Sequence, residues 1–312
     1  MTTRVAAIDC GTNSIRLLVA DIDGDAGSLT DVDRRMRIVR LGQDVDRTGR
    51  LAPEALFRTF AACDEYAEVV RDTGATMVRF VATSASRDVS NRHAFVAGVR
   101  SRLGVEPEVV TGDEEAALSF AGATRELAGS ELARPFLVVD IGGGSTELVL
   151  GEPGTQPVAA VSVDVGCVRL TERHLHEDPP TLEQVTAATG DAEAALELAG
   201  QSVPLARART LVGLAGTVTT VAAMALDLPA YQPERIHHAH VGADDVRRVA
   251  DRLLHMTHDE RAALPFMHPG RVDVIGAGAL LLSAVLDHVP VGEIVVSEHD
   301  ILDGIAFSMV TS

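Results

Sequence analysis

The chain has 312 residues, of which 46% are hydrophobic and 3% aromatic, which suits about two domains with aliphatic cores. Its formal net charge of −18 argues against a general nucleic-acid binder or a membrane-surface binder, since both need a broad basic face. All 27 basic residues are arginine, which excludes a Walker A loop and a protein kinase because both require a lysine.

The cysteines and the N-terminus indicate the compartment. Cys10, Cys63 and Cys167 are widely spaced and form no C-x-x-C pair, which is typical of reduced thiols. The N-terminus reaches Asp9 too early for a signal peptide, and no apolar run approaches the ~18 residues that span a bilayer. We therefore expect a cytoplasmic protein with no nucleic-acid partner and no membrane partner.

Strands alternate with helices along the chain. Hydrophobic periodicity predicts helices over 53–72, 91–103 (with Asn91 as N-cap), 112–127, 168–175, 243–256, 277–289 and 300–310. Apolar runs predict strands over 77–82, 105–110, 157–166 and 292–298, a hairpin over 136–152 and a strand–turn–helix over 210–226. This alternation predicts an α/β fold with mixed sheets.

An internal repeat links the N-terminus to the middle of the chain. The stretch "VVDIGGGSTELVLG" at 138–151 aligns with "AIDCGTNSIRLLVA" at 7–20, about one domain length earlier. The alignment places Asp140 on Asp9, Gly142 on Gly11, Ser145 on Ser14 and Glu147 on Arg16. Two copies at this spacing predict two related domains rather than a short solenoid repeat.

The second copy has the chemistry of a phosphate and metal site. A glycine-rich turn leaves backbone N–H groups open to an anion, and Ser145 and Thr146 add hydroxyl donors. Carboxylates would repel a phosphate unless a cation lies between them, and Mg²⁺ prefers oxygen ligands. Asp140 and Glu147 are therefore candidate metal ligands, directly or through water; the alternative is a plain turn with surface acids.

The first copy offers donors instead of a second acid. Thr12, Asn13 and Ser14 can donate to phosphate, and Arg16 supplies a positive charge where the other copy has Glu147. The alternative is that Arg16 is an ordinary surface residue of a strand.

Two adjacent acids open the helix predicted from residue 112. Glu114 lies three residues after Thr111 and therefore fits a capping box. Glu115 lies about 100° further around the helix, so the two carboxylates have different surroundings. Without further information both could be solvated first-turn acids favoured by the helix dipole.

Eight segments in order resemble the exopolyphosphatase / guanosine pentaphosphate phosphohydrolase family. They are "AAIDCGTNSIRLLVAD", "ATSASRDVSN", "TGDEEA", "VVDIGGGSTELVLG", "GCVRLTERHL", "GLAGTVTT", "PGRVDVIGAGALLL" and "SEHDILDG". The resemblance implies two related actin-like ATPase (ribonuclease H-like) domains with a phosphate-binding cleft, in the short two-domain form. The repeat and the resemblance together place one domain at 1–124 with 299–312 and the other at 125–298. The resemblance implies that the last helix returns to the first domain.

The resemblance also implies roles for particular residues. Glu115 matches the catalytic base, which orients or deprotonates the attacking water, and Arg87 matches a phosphate-binding arginine that alone would more often pair with Asp88. Asp140 and Glu147 would hold Mg²⁺, with Mn²⁺ possible. Substrate contacts are expected from Thr12, Asn13, Ser14, Arg16, Gly143, Gly144, Ser145, Thr146, Arg169, Gly216 and Thr217. For Gly216 and Thr217 a close-packed turn is the alternative.

Two other patterns are weaker. "IHHAHV" would put His238 and His240 on one face of a strand, but the family pattern has a single histidine, matching His237, and no zinc, so no histidine metal site is expected. "GAGALLL" follows no clear strand and offers two glycines, so it does not support a dinucleotide-binding turn.

The expected activity is Mg²⁺-dependent hydrolysis of a terminal phosphoanhydride by a homodimer. Inorganic polyphosphate and guanosine pentaphosphate share this bond, and the sequence does not separate them. Two rivals stay open: a sugar or acid kinase of the same superfamily, and a weakly catalytic sensor of polyphosphate or alarmones.

Overall fold

A computed structural model of the chain describes residues 2–23, 28–87, 89–155 and 157–310. The chain forms two compact units, one comprising residues up to Gly122 together with those from Ile301, and the other comprising Ala123–Asp300. The chain thus passes between the units after 122 and after 300, where the expected boundaries were 124 and 298. Every helix in the described part is too short or too polar to cross a membrane.

The first unit is built on one mixed sheet with helices packed on it. Its described elements are β1 (Thr2–Cys10), β2 (Ser14–Asp23), β3 (Ser28–Ile38), α1 (Val45–Thr48), α2 (Pro53–Thr73), β4 (Met77–Ala82), α3 (Ser84–Arg87), α4 (Arg92–Leu103), β5 (Glu108–Val109), α5 (Gly112–Thr124, whose end passes into the second unit) and α13 (Ile301–Ser308). The strand order is β3-β2-β1-β4-β5, with β1 antiparallel to β2 but parallel to β4.

Helix α2 shows how local signals and burial act together. Pro53 starts the helix, and Gly74 ends it in the left-handed region with φ 71°, a conformation that favours glycine. Its inward face includes Cys63 and the fully buried Tyr66. The Tyr66 hydroxyl donates to the Ile15 carbonyl at 2.9 Å, which satisfies the one polar atom that this large side chain takes into the core.

The last helix, α13, packs on the first unit, as the sequence predicted. Ile301, Leu302 and Ile305 join Val5 and Leu18 in one buried cluster on the sheet. The arrangement includes an ion pair in which Arg34 donates to the buried carboxylate of Asp303 at 2.6 Å. The chain therefore completes its first unit only at its C-terminal end.

The second unit carries the longer sheet. Its described elements are a 3-10 turn at Glu126–Gly129, β6 (Phe136–Ile141), β7 (Thr146–Gly151), β8 (Ala159–Val163), α6 (Cys167–His174), α7 (Leu182–Ser202), a 3-10 turn at Leu205–Arg207, β9 (Thr210–Leu214), α8 (Ala215–Ala225), α9 (Pro233–Ile236), β10 (His240–Gly242), α10 (Ala243–His255), α11 (His258–Ala262), a 3-10 turn at Pro269–Arg271, α12 (Ile275–His288) and β11 (Glu293–Val296).

The two sheets repeat one topology. The second has the order β10-β11-β9-β6-β7-β8, with β6 antiparallel to β7 but parallel to β9. The run β8-β7-β6-β9-β11 therefore matches β3-β2-β1-β4-β5 of the first unit, and β10 is added at one edge. The duplication read from the sequence is confirmed, and it covers the whole sheet rather than the hairpin alone.

Two local expectations were wrong in detail. Asn91 occupies the N-cap position of α4, but its side chain makes no cap bond and instead exchanges two hydrogen bonds with the backbone of Leu51. His238 does not share a strand face with His240, because β10 begins at His240 and His238 has a left-handed φ of 59°. In both places the residue makes a longer-range backbone contact instead: Asn91 bonds to Leu51, and the His238 N–H donates to the Val296 carbonyl at 2.7 Å.

Candidate active site

In the first unit, the candidate residues gather where the parallel strands β1, β4 and β5 end. The Thr83 N–H donates to the Cys10 carbonyl at 3.1 Å, which joins the ends of β1 and β4. The Thr12 and Ser84 hydroxyls lie 2.9 Å apart. Because the carboxyl ends of parallel strands meet at one edge, residues far apart in the sequence share this site.

Arg87 and Glu115 form an ion pair at this edge. Arg87 Nη2 lies 3.0 Å from Glu115 Oε2, and the two side chains are 18% and 10% exposed. Asp88, the other expected partner of Arg87, lies outside the described residues. Arg87 Nη1 is buried and has no hydrogen-bond partner among the residues that the structure describes, so it is a donor that a bound anion would satisfy.

The neighbouring Glu114 has a different environment, as the sequence predicted. Its carboxylate accepts from the Thr111 N–H at 2.9 Å, and the Thr111 hydroxyl accepts from the Glu114 N–H at 3.2 Å, which is a complete capping box. These backbone and hydroxyl bonds hold the pKa of Glu114 below its usual value. Glu114 is thus used in helix capping, whereas Glu115 points towards Arg87.

The hairpin of the first unit contains an arginine that pairs with its acid. Asp9 and Arg16 lie opposite each other on β1 and β2, and Arg16 Nη2 donates to the buried Asp9 carboxylate at 2.7 Å. In the turn, Asn13 and Ser14 are partly exposed, and the Asn13 carbonyl accepts from two backbone N–H groups. Arg16 is therefore engaged with Asp9 rather than being a plain surface residue.

The equivalent position of the second unit holds two acids. Asp140 and Glu147 lie opposite each other on β6 and β7, at 8% and 1% exposure. Side chains in this relation lie about 5 Å apart at Cβ. The Ser162 hydroxyl donates to Glu147 Oε1 at 2.6 Å. Two buried carboxylates side by side, where the first unit has an Asp–Arg pair, form an oxygen-only site that fits Mg²⁺.

The glycine turn between β6 and β7 supports the start of α6. The Gly143 carbonyl accepts from the N–H groups of Val168 and Arg169 at 2.9 and 3.1 Å. A Cβ added to Gly166 would lie 2.5 Å from the Gly143 oxygen, so only glycine permits this approach. The structure thereby brings Arg169 to the turn that contains Gly143 and Gly144.

The hydroxyls of this turn are turned inward. Thr146 is fully buried and donates to the Val165 carbonyl at 2.7 Å, and Ser145 is 1% exposed. The single hydroxyl proton of Thr146 is thus used within the fold. Its expected role as a phosphate donor is not supported by this geometry.

The turn after β9 lies at the same edge of the second sheet, because Asp140 pairs with Leu214 in parallel register. The Arg271 guanidinium packs on the bare backbone of Gly216, since a Cβ added to Gly216 would lie 2.3 Å from Arg271 Cζ. Arg271 also donates to the Thr220 hydroxyl at 3.2 Å. Thr217 is 5% exposed and packs against the bare backbone of Gly278. The Thr217 side chain therefore supports helix packing, and Gly216 together with Arg271 faces the edge.

Arg271 was missed by sequence reasoning. The segment "PGRVDVIGAGALLL" was part of the family pattern, so its arginine could have been singled out. Only folding, however, brings it from the 3-10 turn at Pro269–Arg271 onto Gly216.

The cysteines play no part in this chemistry. Burial raises the pKa of all three thiols, to about 11 for Cys167 and about 12 for Cys63. They therefore stay protonated at neutral pH and are poor nucleophiles. The reactive groups at both edges are carboxylates and arginines.

The model of the Ppx/GppA phosphatase family matches residues 18–312. The chain belongs to the Ppx/GppA phosphatase family. It is 53% identical to exopolyphosphatase 2 of Mycobacterium tuberculosis, over 98% of each chain. It is also 34% identical to the guanosine-5'-triphosphate,3'-diphosphate pyrophosphatase of Photobacterium profundum, over 68% of this chain and 42% of that one.

A solved structure agrees with this assignment. The crystal structure of an exopolyphosphatase-like protein has a TM-score of 0.94 at 43% identity, covering 99% of this chain and 98% of that one. The expected Ppx/GppA membership and the α/β class with two mixed sheets are confirmed.

Proposed function

We propose that the chain is an exopolyphosphatase, a hydrolase that removes the terminal phosphate of inorganic polyphosphate as orthophosphate, with Mg²⁺ as its metal ion and Mn²⁺ as a substitute. The observation that carries the proposal is that two adjacent acids have different partners. The Glu114 carboxylate is used in the capping box, and the Glu115 carboxylate pairs with Arg87. The relative named exopolyphosphatase 2 supports the substrate class.

The first unit supplies the groups that act on water and on developing charge. The water oxygen forms a bond to the terminal phosphorus while the bond from that phosphorus to the bridging oxygen breaks. Glu115 orients the water and takes its proton, and the electron pair of the broken bond stays on the shortened chain. Arg87 stabilises negative charge on the transferred group, so catalysis is mostly positioning and electrostatics.

The second unit supplies the groups that bind phosphate and metal. Asp140 and Glu147 would hold Mg²⁺, which neutralises phosphate charge when bound. The N–H groups of the glycine turn, Arg169 and Arg271 are the donors for phosphate oxygens. The two units therefore differ in chemistry: the first contains the base and an arginine, and the second contains the acids and the phosphate donors.

The overall charge constrains how the substrate binds. A polyanion approaching a protein of net charge −18 meets an unfavourable field, so binding must rely on local arginines and on the metal ion. We expect polyphosphate affinity to require Mg²⁺.

Guanosine pentaphosphate is the second candidate substrate, because it offers the same terminal bond. The relative named guanosine-5'-triphosphate,3'-diphosphate pyrophosphatase supports it. Hydrolysis of either substrate by this chain would use Glu115 and the Asp140–Glu147 pair in the same way.

The decisive experiment measures orthophosphate release from long polyphosphate, short polyphosphate, guanosine pentaphosphate and ATP, each with and without Mg²⁺. The proposal predicts repeated turnover of polyphosphate that depends on Mg²⁺. A preference for guanosine pentaphosphate would favour the second candidate. Tight polyphosphate binding without sustained release would indicate a sensor and contradict the proposal.

A further inference from the structure

A second cluster of titratable side chains lies in the second unit, apart from the Asp140–Glu147 pair. It comprises Glu126, His237 and His299, whose nearest ligand atoms all lie within 4.8 Å of one another. The three residues come from three separate segments: the 3-10 turn that follows α5, the link between α9 and β10, and the end of the chain segment after β11. Folding, not local sequence, brings them together.

Two distances within the cluster lie near those found around a single ion, and the third pair lies within 4.8 Å, so a small side-chain adjustment would bring all three ligand atoms onto one ion. Glu126 Oε2 lies 2.9 Å from His237 Nε2 and 3.5 Å from His299 Nδ1. Zinc bonds of about 2.0–2.2 Å in a tetrahedral site separate neighbouring ligand atoms by roughly 3.4 Å. The side chains are 52%, 23% and 31% exposed for Glu126, His237 and His299, so a metal ion can enter and water can complete the shell.

We propose that Glu126, His237 and His299 form a binding site for a divalent transition-metal ion of the zinc type. Two imidazoles and one carboxylate are ligands that zinc and its neighbours favour, whereas Mg²⁺ favours carboxylate and water oxygens. The site is therefore chemically distinct from Asp140 and Glu147 and does not depend on the proposed phosphatase function.

The ring of His237 is held by its neighbour. His238 stacks on His237 with ring centroids 3.7 Å apart, which fixes the plane of the His237 ring.

One hydrogen bond must change when the ion binds. The Glu298 N–H donates to His237 Nδ1 at 3.1 Å, so in the metal-free protein the His237 proton is on Nε2 and faces Glu126. A metal ion on Nε2 moves this proton to Nδ1, and the Glu298 N–H loses its acceptor. Metal binding is therefore expected to shift the amide signal of Glu298.

The location gives the ion a structural effect. Glu126 lies just after the chain enters the second unit, and His299 lies just before it leaves. An ion held by both residues would link the two ends of this unit, and ligand binding to the folded state raises its stability.

The test is Zn²⁺ binding by competition with a chromogenic chelator, in excess Mg²⁺ to occupy the oxygen-only site, together with thermal melting. The full chain should bind one tight Zn²⁺ and melt at a higher temperature with it. Glu126→Gln and His299→Gln should each weaken binding more than about tenfold, the lower end for disturbing a zinc site, and should remove the zinc-dependent rise in melting temperature.

His240→Gln is the matched control. His240 and Glu293 form another exposed imidazole–carboxylate pair at 2.8 Å, but among the described residues no third histidine, cysteine or acid joins this pair to form a cluster. This variant should keep the tight site. Equal Zn²⁺ affinity in the wild type, Glu126→Gln and His299→Gln, with all three folded by circular dichroism, would overturn the proposal, as would loss of the site in His240→Gln. Failure of the phosphatase assays would leave this result unaffected.

Discussion

Arg87 Nη2 lies 3.0 Å from Glu115 Oε2, which couples the short helix α3 to the first turn of α5. The pair fixes the carboxylate that we assign as the base beside the arginine that we assign to the transferred phosphate. Glu114, one residue earlier, is held by Thr111 instead. The chain therefore contains its own control for the assignment of the base.

Glu115→Gln should lower kcat by about 10²–10⁴-fold, because a positioned general base contributes that much to proton transfer. Polyphosphate affinity should hold or improve, since one negative charge near the polyanion is removed. The measurement is steady-state phosphate release together with polyphosphate binding. Retention of more than about a tenth of the rate would contradict the assignment.

Glu114→Gln is the matched variant for this test. Glutamine can also serve in a capping box, so stability at neutral pH and kcat should change little. If Glu114→Gln were the inactive variant, the roles of the two acids would have to be exchanged.

Glu147→Gln should weaken Mg²⁺ dependence. The substitution keeps the size and leaves an oxygen that can accept from Ser162, but it removes the charge opposite Asp140. We expect the Mg²⁺ concentration for half-maximal activity to rise at least tenfold. Glu197→Gln, on the exposed face of α7, is the control for loss of one acid and should leave the Mg²⁺ profile unchanged. Unaltered metal affinity in Glu147→Gln would refute the ligand assignment.

Arg16→Gln should destabilise the first unit. It leaves the buried Asp9 carboxylate without the guanidinium that now bonds to it at 2.7 Å, and such a loss costs about 3 kcal/mol at the lower end for buried pairs. The double variant Asp9→Asn/Arg16→Gln should recover much of this stability, because no buried charge remains. Urea unfolding of the single and double variants measures the difference, and equal stability of all forms would show that the pair is not structural.

Gly304→Ala should loosen the contact between α13 and α5. A Cβ at Gly304 would lie 2.0 Å from the Leu118 carbonyl oxygen, so α13 must shift away from the helix that carries Glu115. We expect a loss of stability of about 1–3 kcal/mol from overpacking and a lower kcat. Gly190→Ala in α7 has no atom within 4 Å of its Cβ and should stabilise by up to about 1 kcal/mol. A neutral Gly304→Ala would contradict the packing argument.

A second capping box joins Thr257 and Glu260 at the start of α11, and acid should act on it as on that of Thr111 and Glu114. Hydrogen bonds to Thr111 and to Thr257 lower the pKa of Glu114 and of Glu260, respectively. A carboxylate whose pKa is lower in the folded state than in the unfolded state stabilises the fold when the pH is above its unfolded pKa, near 4.5. This stabilisation is lost as the pH falls through the folded pKa. The double variant Glu114→Gln/Glu260→Gln should therefore show a shallower loss of stability below about pH 4.5 than the wild type. Denaturant unfolding at neutral and acidic pH measures the slopes, and parallel curves would contradict the prediction.

The sequence by itself determined the features that depend on near neighbours. The register of a tight hairpin is set by its turn, so Asp140 and Glu147 were predictable as a pair once the glycine turn was recognised. The capping box of Thr111 and Glu114 is likewise a three-residue relation. The repeated hairpin was enough to predict two related domains, and the alternation of strands and helices predicted mixed sheets.

Only the tertiary structure decided which distant residues meet. Arg271 reaches Gly216, and Glu126 meets His237 across 111 residues, because pairing of parallel strands and long crossovers bring together segments that no local period relates. The same packing turned the Thr146 hydroxyl inward to Val165. Periodicity indicates which face of an element is buried, but the partner of a buried polar group depends on the strand or helix packed against it.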